Sequence, residues 1–416
     1  MERFVEYHGL EICLTNGLQT PMWSKLHSNG GLMVGAVLLC SFAQGQQLQG
    51  RFYPEKDSYM VAEPVLFNME IKNTGTETVY LNAKNPAKCV DSYEFSVTGP
   101  GSSCRARWDA ECRDTLLPLE PGGSYQGQWP LNFWYQFERE GKYDVEATRH
   151  VPVMSKGGDF QDFTFSSKFE VKMAPLDPAR MQNILQEFEQ KLHSDDPDVR
   201  HAALDVLSTA PVYFQRIALT VSRSKDAFAV LHAVGALSRM NTPETRAALA
   251  DLLTAEEVTA EDEVLVRVHA VEGLGHSGDP SYQTLIGRYL GDKNEHIQLA
   301  AMVAIAQLGK AEAVPQLQRL FFSANPTTRK NVASALRFST THESVEVLID
   351  SVTDKDAGVR EQVLTSLAGL TGHSLGDIKD DRTSPEQVQT AWRAWWRENK
   401  AKTHLPDRLE FLCHMQ

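Results

Sequence analysis

The chain has 416 residues, 42% of them hydrophobic and 23% charged, a composition that can bury two full cores. Its 54 acidic residues outnumber 41 basic ones, for a formal charge of −13. That balance argues against nucleic acid or anionic lipid held by bulk charge, because each needs a net basic face.

Near the amino terminus, Gly31–Cys40 is an apolar run preceded by Lys25 and followed by Ser41–Phe42–Ala43, a small-x-small cleavage pattern. The run is too short for a comfortable bilayer span. Residues 1–46 are therefore expected to be a leader, with export to the periplasm or the extracellular space and no membrane span in the mature chain. Residues 1–21 carry Glu2, Glu6 and Glu11 without a compact basic region. A start at Met22 would instead give the basic leader Met-Trp-Ser-Lys-Leu-His. Lipidation at Cys40 is the lesser alternative, since Leu39 stands where lipoboxes carry a small residue.

Residues 47–174 follow a period of two. Val65, Phe67, Met69 and Ile71 alternate before Asn73–Thr74–Gly75, and similar runs recur at Thr78–Asn82, Tyr93–Thr98, Ser124–Trp129, Lys142–Thr148 and Phe163–Val171. Such patterning, punctuated by Gly, Pro and Asn, predicts an antiparallel β-sandwich. Leu119–Pro121–Gly122–Ser124 and Gly141–Val145 resemble late strands of immunoglobulin-like modules, with Tyr143 in the place of a corner tyrosine. Cys89, Cys104 and Cys112 cluster here, and export predicts one disulfide among them, with the pairing left open. No C-x-x-C pair supports a metal site instead. Trp129, Phe133, Trp134 and Tyr135 fit either core packing or an exposed platform for carbohydrate or a protease.

From residue 175 to 402 the period changes. Aligned on Arg200, Val230, Arg267, Gln298, Arg329 and Arg360, the chain repeats at spacings of 30, 37, 31, 31 and 31 residues. Four positions before each anchor stands a helix-capping or acidic residue: Asp196, Asp226, Glu263, Asn294, Asn325 and Asp356. Seven after it stands a large aliphatic: Leu207, Leu237, Leu274, Ile305, Leu336 and Leu367. The sixth positions, among them Ala236, Gly273 and Ala304, are mostly small and suit close helix packing. A second helix is expected in each unit around Leu252–Leu253, Tyr289–Leu290, Leu320–Phe321 and Leu348–Ile349. The acidic run 256–262 falls in the one overlong spacing and reads as a solvated loop. Met181, Ile184, Leu185, Phe188 and Leu192 form an amphipathic segment before the array, as an amino-terminal cap would.

The strings D-P-D-V-R-H-A-A-L-D-V-L at 196–207 and D-K-D-A-G-V-R-E-Q-V-L-T-S-L-A-G-L at 354–370 resemble bacterial HEAT-like repeats, over roughly residues 178–372. The resemblance implies an α-solenoid of about six helical hairpins, whose recurrent Asp and Arg stabilise helix starts and bridge adjacent repeats, and whose concave face binds protein. On this sequence the positions concerned are Asp196, Arg200, Asp226, Glu263, Arg267, Asn294, Asn325, Arg329, Asp356 and Arg360. Val230 and Gln298 depart from the Arg pattern and interrupt that ladder. Related short repeats occur in bilin lyases, and some HEAT-like proteins act on DNA, but the repeat motif itself carries neither activity.

After Gly372 and the Gly376–Asp377 loop, Ser384–Pro385–Glu386–Gln387 has the spacing of a capping box. Val388, Trp392, Trp395 and Trp396 then share a helix face, predicting a lid over the last repeat, with residues 403–416 as a tail. His232 and His269 both sit two after their anchors, so adjacent helices would carry them on matching turns. No G-x-S-x-G, H-E-x-x-H, P-loop or dinucleotide fingerprint occurs, so no catalytic residue, cofactor or metal ligand is assigned. The expected function is a non-enzymatic, exported scaffold for protein partners. The alternatives are an envelope enzyme or lyase-like subunit, and a carbohydrate-binding or protease-inhibiting sandwich.

Overall fold

The computed structural model describes residues 48–82, 93–104, 116–155, 158–254, 263–374 and 384–405. The expected leader 1–46, the acidic run 256–262, the Gly376–Asp377 loop and tail residues 406–416 lie outside them. All the described residues belong to one compact unit that starts at Leu39.

Up to Ala174 the chain is β-rich. Its strands are β1 (Leu48–Pro54), β2 (Ser58–Met60), β3 (Leu66–Asn73), β4 (Val79–Asn82), β5 (Tyr93–Thr98), β6 (Ser102–Cys104), β7 (Leu116–Leu119), β8 (Ser124–Pro130), β9 (Tyr135–Phe137), β10 (Gly141–Ser155) and β11 (Gln161–Ala174). One sheet runs β1-β3-β8; another runs β2-β11-β10-β4-β7 with β5 also on β10; β6 and β9 pair separately. The registers Phe52↔Met69 and Phe67↔Trp129 put alternate apolar residues of the first sheet on one face. They meet Tyr93, Phe95, Val145 and Phe165 of the larger sheet in a single core. Phe52 stacks on Phe165 at 5.0 Å and Phe67 meets Phe95 edge-on at 5.1 Å. Each ring so buried contributes about 1.5–3 kcal/mol relative to exposure. Tyr143 is fully buried, and its hydroxyl lies 2.8 Å from the Arg139 carbonyl and against that of Pro100.

Helices follow from Pro178: α1 (Pro178–Leu192), α2 (Pro197–Thr209), α3 (Gln215–Val221), α4 (Ala227–Met240), α5 (Pro243–Thr254), α6 (Glu263–His276), α7 (Gln283–Ile286), α8 (Glu295–Gly309), α9 (Val314–Leu320), α10 (Pro326–Leu336), α11 (His342–Ser351), α12 (Ala357–Thr371) and α13 (Pro385–Asn399). The even-numbered helices are the first helices of the repeats, and each packs on the next. The anchor-plus-seven residues Leu207, Leu237, Leu274, Ile305, Leu336 and Leu367 are all buried in one continuous core. Gly273 and Gly275 mark close approaches on either side of α6: a Cβ at Gly273 would lie 2.8 Å from that of Ser238 on α4, and one at Gly275 would lie 2.6 Å from that of Ala304 on α8.

The third repeat differs from the expected hairpin. Its second helix is only α7, with 3-10 turns at Pro280–Tyr282 and Gly287–Tyr289 on either side. Pro280, Gly287 and Gly291 are poor helix formers, and burying Ile286 and Leu290 requires a short apolar turn rather than a continuous helix. Glu295–Leu320 is long and apolar enough to cross a bilayer, but 61% of its apolar window is buried inside the protein as α8 and α9. Side chains tie the β-rich region to the helices. Met60 is buried within the helical core, and Glu63, 3% exposed, accepts from Lys56 Nζ and Arg180 Nη2, each at 2.8 Å.

Candidate functional site

Five of the repeats enter their first helices through the same turn. Two residues before the cap, a Ser or Asp side chain accepts the cap's own backbone N–H: Ser194 from Asp196 (3.2 Å), Ser224 from Asp226 (3.1 Å), Asp292 from Asn294 (2.8 Å), Ser323 from Asn325 (3.2 Å) and Asp354 from Asp356 (2.9 Å). The cap side chain then accepts from the helix: Asp196 from Asp198 N, Asp226 from Phe228 N, Asn294 from His296 N, Asn325 from Thr327 N and Asp356 from Val359 N. These bonds satisfy N–H groups that a helix start leaves free. Glu263 differs, being the first residue of α6 rather than the one before it.

Anchor arginines close the turn from the other side. Arg200, Arg329 and Arg360 donate through Nη1 to the carbonyls of Ser194 (2.6 Å), Ser323 (2.9 Å) and Asp354 (2.8 Å). Arg329 also reaches the next repeat, with Nε and Nη2 on the two Asp354 oxygens at 2.8 and 2.9 Å. Burial alone would raise the Asp354 carboxyl. Hydrogen bonds from Arg329 and the Asp356 N–H outweigh it and hold the carboxyl below its ordinary range. Where Gln298 replaces Arg, its Oε1 accepts from Thr328 Oγ1 of the following repeat at 3.2 Å. Val230 is buried and makes an apolar contact instead, and Arg267 is half-buried on α6.

This arrangement positions a row of side chains at the starts of the first helices. Val199 on α2, Phe228 on α4 and Leu265 on α6 are each 38% exposed, although they occupy equivalent turns one or two residues before their anchors. Phe228 lies edge-on to His201 of α2, with centroids 5.0 Å apart, and 4.3 Å from His232 of its own helix. His232 in turn bridges to Asp205 of α2 at 3.2 Å. His269 meets Glu272 on its own helix at 2.9 Å. His232 and His269 thus each have their own carboxylate, and no group of three metal-binding side chains occurs among the described residues. The row is a surface of apolar and imidazole side chains. A sequence cue for it exists: apolar residues directly after the cap, where a solvated first turn carries polar ones.

The other sequence candidates are distributed elsewhere. Of the two readings of the aromatics in the β-rich region, packing is the one observed: Trp129 and Trp134 are 8% and 2% exposed, Tyr135 bonds the Phe95 carbonyl, and Phe133 lies half-buried beneath Arg239. Alternation on β8 turns Trp129 inward, and the turn at Leu131–Phe133 folds Trp134 beneath it. Cys104 ends β6, whereas Cys89 and Cys112, and with them the expected disulfide, lie outside the described residues. On α13, Val388, Trp392 and Trp396 are buried, and the helix packs against α11 behind a capping box of Ser384 and Gln387.

Comparison with known proteins bears on the same helices. The family described as HEAT repeats matches residues 255–322 and 298–368. No curated protein matches the chain. Among solved structures, human deoxyhypusine hydroxylase in complex with glycerol is 17% identical, over 53% of this chain and 98% of that one, with a TM-score of 0.25. YibA of Escherichia coli is 14% identical, over 56% and 82%, with a TM-score of 0.33. AlkD2 of Streptococcus mutans is 15% identical, over 45% and 88%, with a TM-score of 0.26. At these scores no chemistry is carried across. Residues 255–368 of this chain are HEAT repeats.

Proposed function

We propose that this protein is an exported, non-enzymatic scaffold that holds another protein. In this reading the β-rich region is an immunoglobulin-like sandwich, the helices form an α-solenoid, and the partner lies on the face that carries Val199, Phe228 and Leu265. The observation behind it is that exposed apolar side chains recur in the first turns of the first helices of three successive repeats. Isolated exposed apolar residues are ordinary, whereas a contiguous row on adjacent helices marks a contact surface. Other exposed apolar residues of the helical region, Val212, Tyr213 and Phe322, sit in turns between helices.

Affinity capture with the full chain tests the proposal. Wild type is expected to retain a partner, identified by mass spectrometry, that Phe228→Ser/Leu265→Ser loses. Retention of the same partner by the double variant rejects this face. For export, the support is the run Gly31–Cys40 with its small-x-small site. Amino-terminal sequencing of protein from the envelope or medium is expected to begin beyond Ala43, and a peptide from residues 2–19 in that material would refute removal of the leader.

A further inference from the structure

We infer that the partner segment on this face is cationic and amphipathic, a stretch of another protein with apolar residues on one side and Lys or Arg on the other. The inference rests on the scaffold reading and adds the partner's charge. Helices α2, α4, α6 and α8, which pack in series, contain no lysine. Their arginines are Arg200, Arg239 and Arg267. Arg200 and Arg239 each spend Nη1 on a backbone carbonyl, of Ser194 and Ser208, both at 2.6 Å, and Arg267 is likewise engaged. Against them stand the carboxylates of Asp198, Asp205, Glu272 and Glu295, together with the exposed caps Asp196 and Asp226. The turns before α4 and α8 add the exposed cations Arg223, Lys225 and Lys293, fewer than the six carboxylates named.

An apolar row bordered by carboxylates places two demands on its occupant. Leucine-like side chains must cover Val199, Phe228 and Leu265, and cations must follow at their sides. A neutral or acidic segment would bury the first feature and leave the second uncompensated, which costs affinity and slows association. Imidazoles beside Phe228 add flat, partly apolar surface.

The test uses the full chain and a fluorescein-labelled helical peptide of roughly 18 residues, about five turns, with Leu on one face and Lys on the other. A twin peptide carries Glu in place of Lys. Fluorescence anisotropy is expected to show the Lys peptide binding at least about tenfold more tightly than its twin. Phe228→Ser/Leu265→Ser should weaken it about tenfold. Asp198→Asn/Asp205→Asn, which leaves every cap intact, should weaken it about threefold to tenfold. The matched control Glu312→Gln/Glu343→Gln removes the same number of carboxylate charges elsewhere and should leave affinity unchanged.

Equal loss in the control would show attraction to the overall negative charge and overturn the inference. So would equal binding of the two peptides. If the Lys peptide fails to bind while the natural partner still depends on Phe228 and Leu265, the charge assignment falls and the scaffold reading stands. If neither the peptide nor the natural partner depends on those residues, both fall.

Discussion

Arg329 keeps its charge at 3% exposure because its guanidinium meets the Asp354 carboxylate and the Ser323 and Ala324 carbonyls. Removing one member of such a pair strands the other, so Arg329→Ala should cost about 3–5 kcal/mol in urea unfolding. A loss below about 1 kcal/mol would put the pair among weak surface bridges. The same pair sets a pH dependence. Asp354 titrates lower in the folded protein than in the unfolded chain. Its contribution is therefore complete above the unfolded value near pH 4 and is lost as pH falls through the lower folded value. The gap in Tm between wild type and Asp354→Asn should stay level from about pH 7 to 5 and narrow below about pH 4. A gap that widens on acidification would reverse the assigned sign. Capping is a smaller effect: Asp226→Ala, which frees the N–H groups of Phe228 and Ala229, should cost about 1 kcal/mol by the same unfolding measurement.

At the scale of the element, close packing between successive first helices is the feature most exposed to test. Gly275→Ala places a methyl 2.7 Å from the Ala304 Cα, where backbone rather than a flexible tip must move. A loss of about 1–3 kcal/mol is expected. Gly287→Ala, whose new methyl would meet no atom within 4 Å, should change stability far less. Equal effects in urea unfolding would mean that α6 and α8 are not in contact there. The first helices were legible because their signals are local and repeated: a cap, a small residue and a buried aliphatic at constant offsets. The carboxyl-terminal helix was legible for the same reason, through Ser384, Gln387 and the spacing of its tryptophans. The fragmentary α7 was not, because Tyr289 and Leu290 satisfy an apolar pattern whether or not the backbone between them is helical. Nor was the turn acceptor set Ser194, Ser224, Asp292, Ser323 and Asp354 recognised, since Ser and Asp are common in turns. Only their shared offset, six before the anchor, distinguishes them.

For the whole molecule, the decisive contacts join residues far apart in sequence, and no periodicity announces them. Met60 lies in the helical core, and Glu63 gathers Lys56, Arg180 and the Met60 N–H, so the loop after β2 closes the amino-terminal end of the helical array. Loss of that buried acceptor in Glu63→Ala should cost about 1–3 kcal/mol and speed hydrogen exchange in β2 and α1, with α10 to α12 unaffected. Uniform change across all helices would instead indicate global destabilisation. The candidate face was only half legible: its apolar residues are visible in the sequence, but their exposure depends on which side of each helix the neighbouring repeats cover. Hydrogen exchange of the full chain, free and bound to its captured partner, examines that face directly. Slower exchange at residues 197–202, 227–232 and 263–269 on binding is the predicted result. Slowing confined to the β-rich region or to α13, with those three segments unchanged, would contradict it.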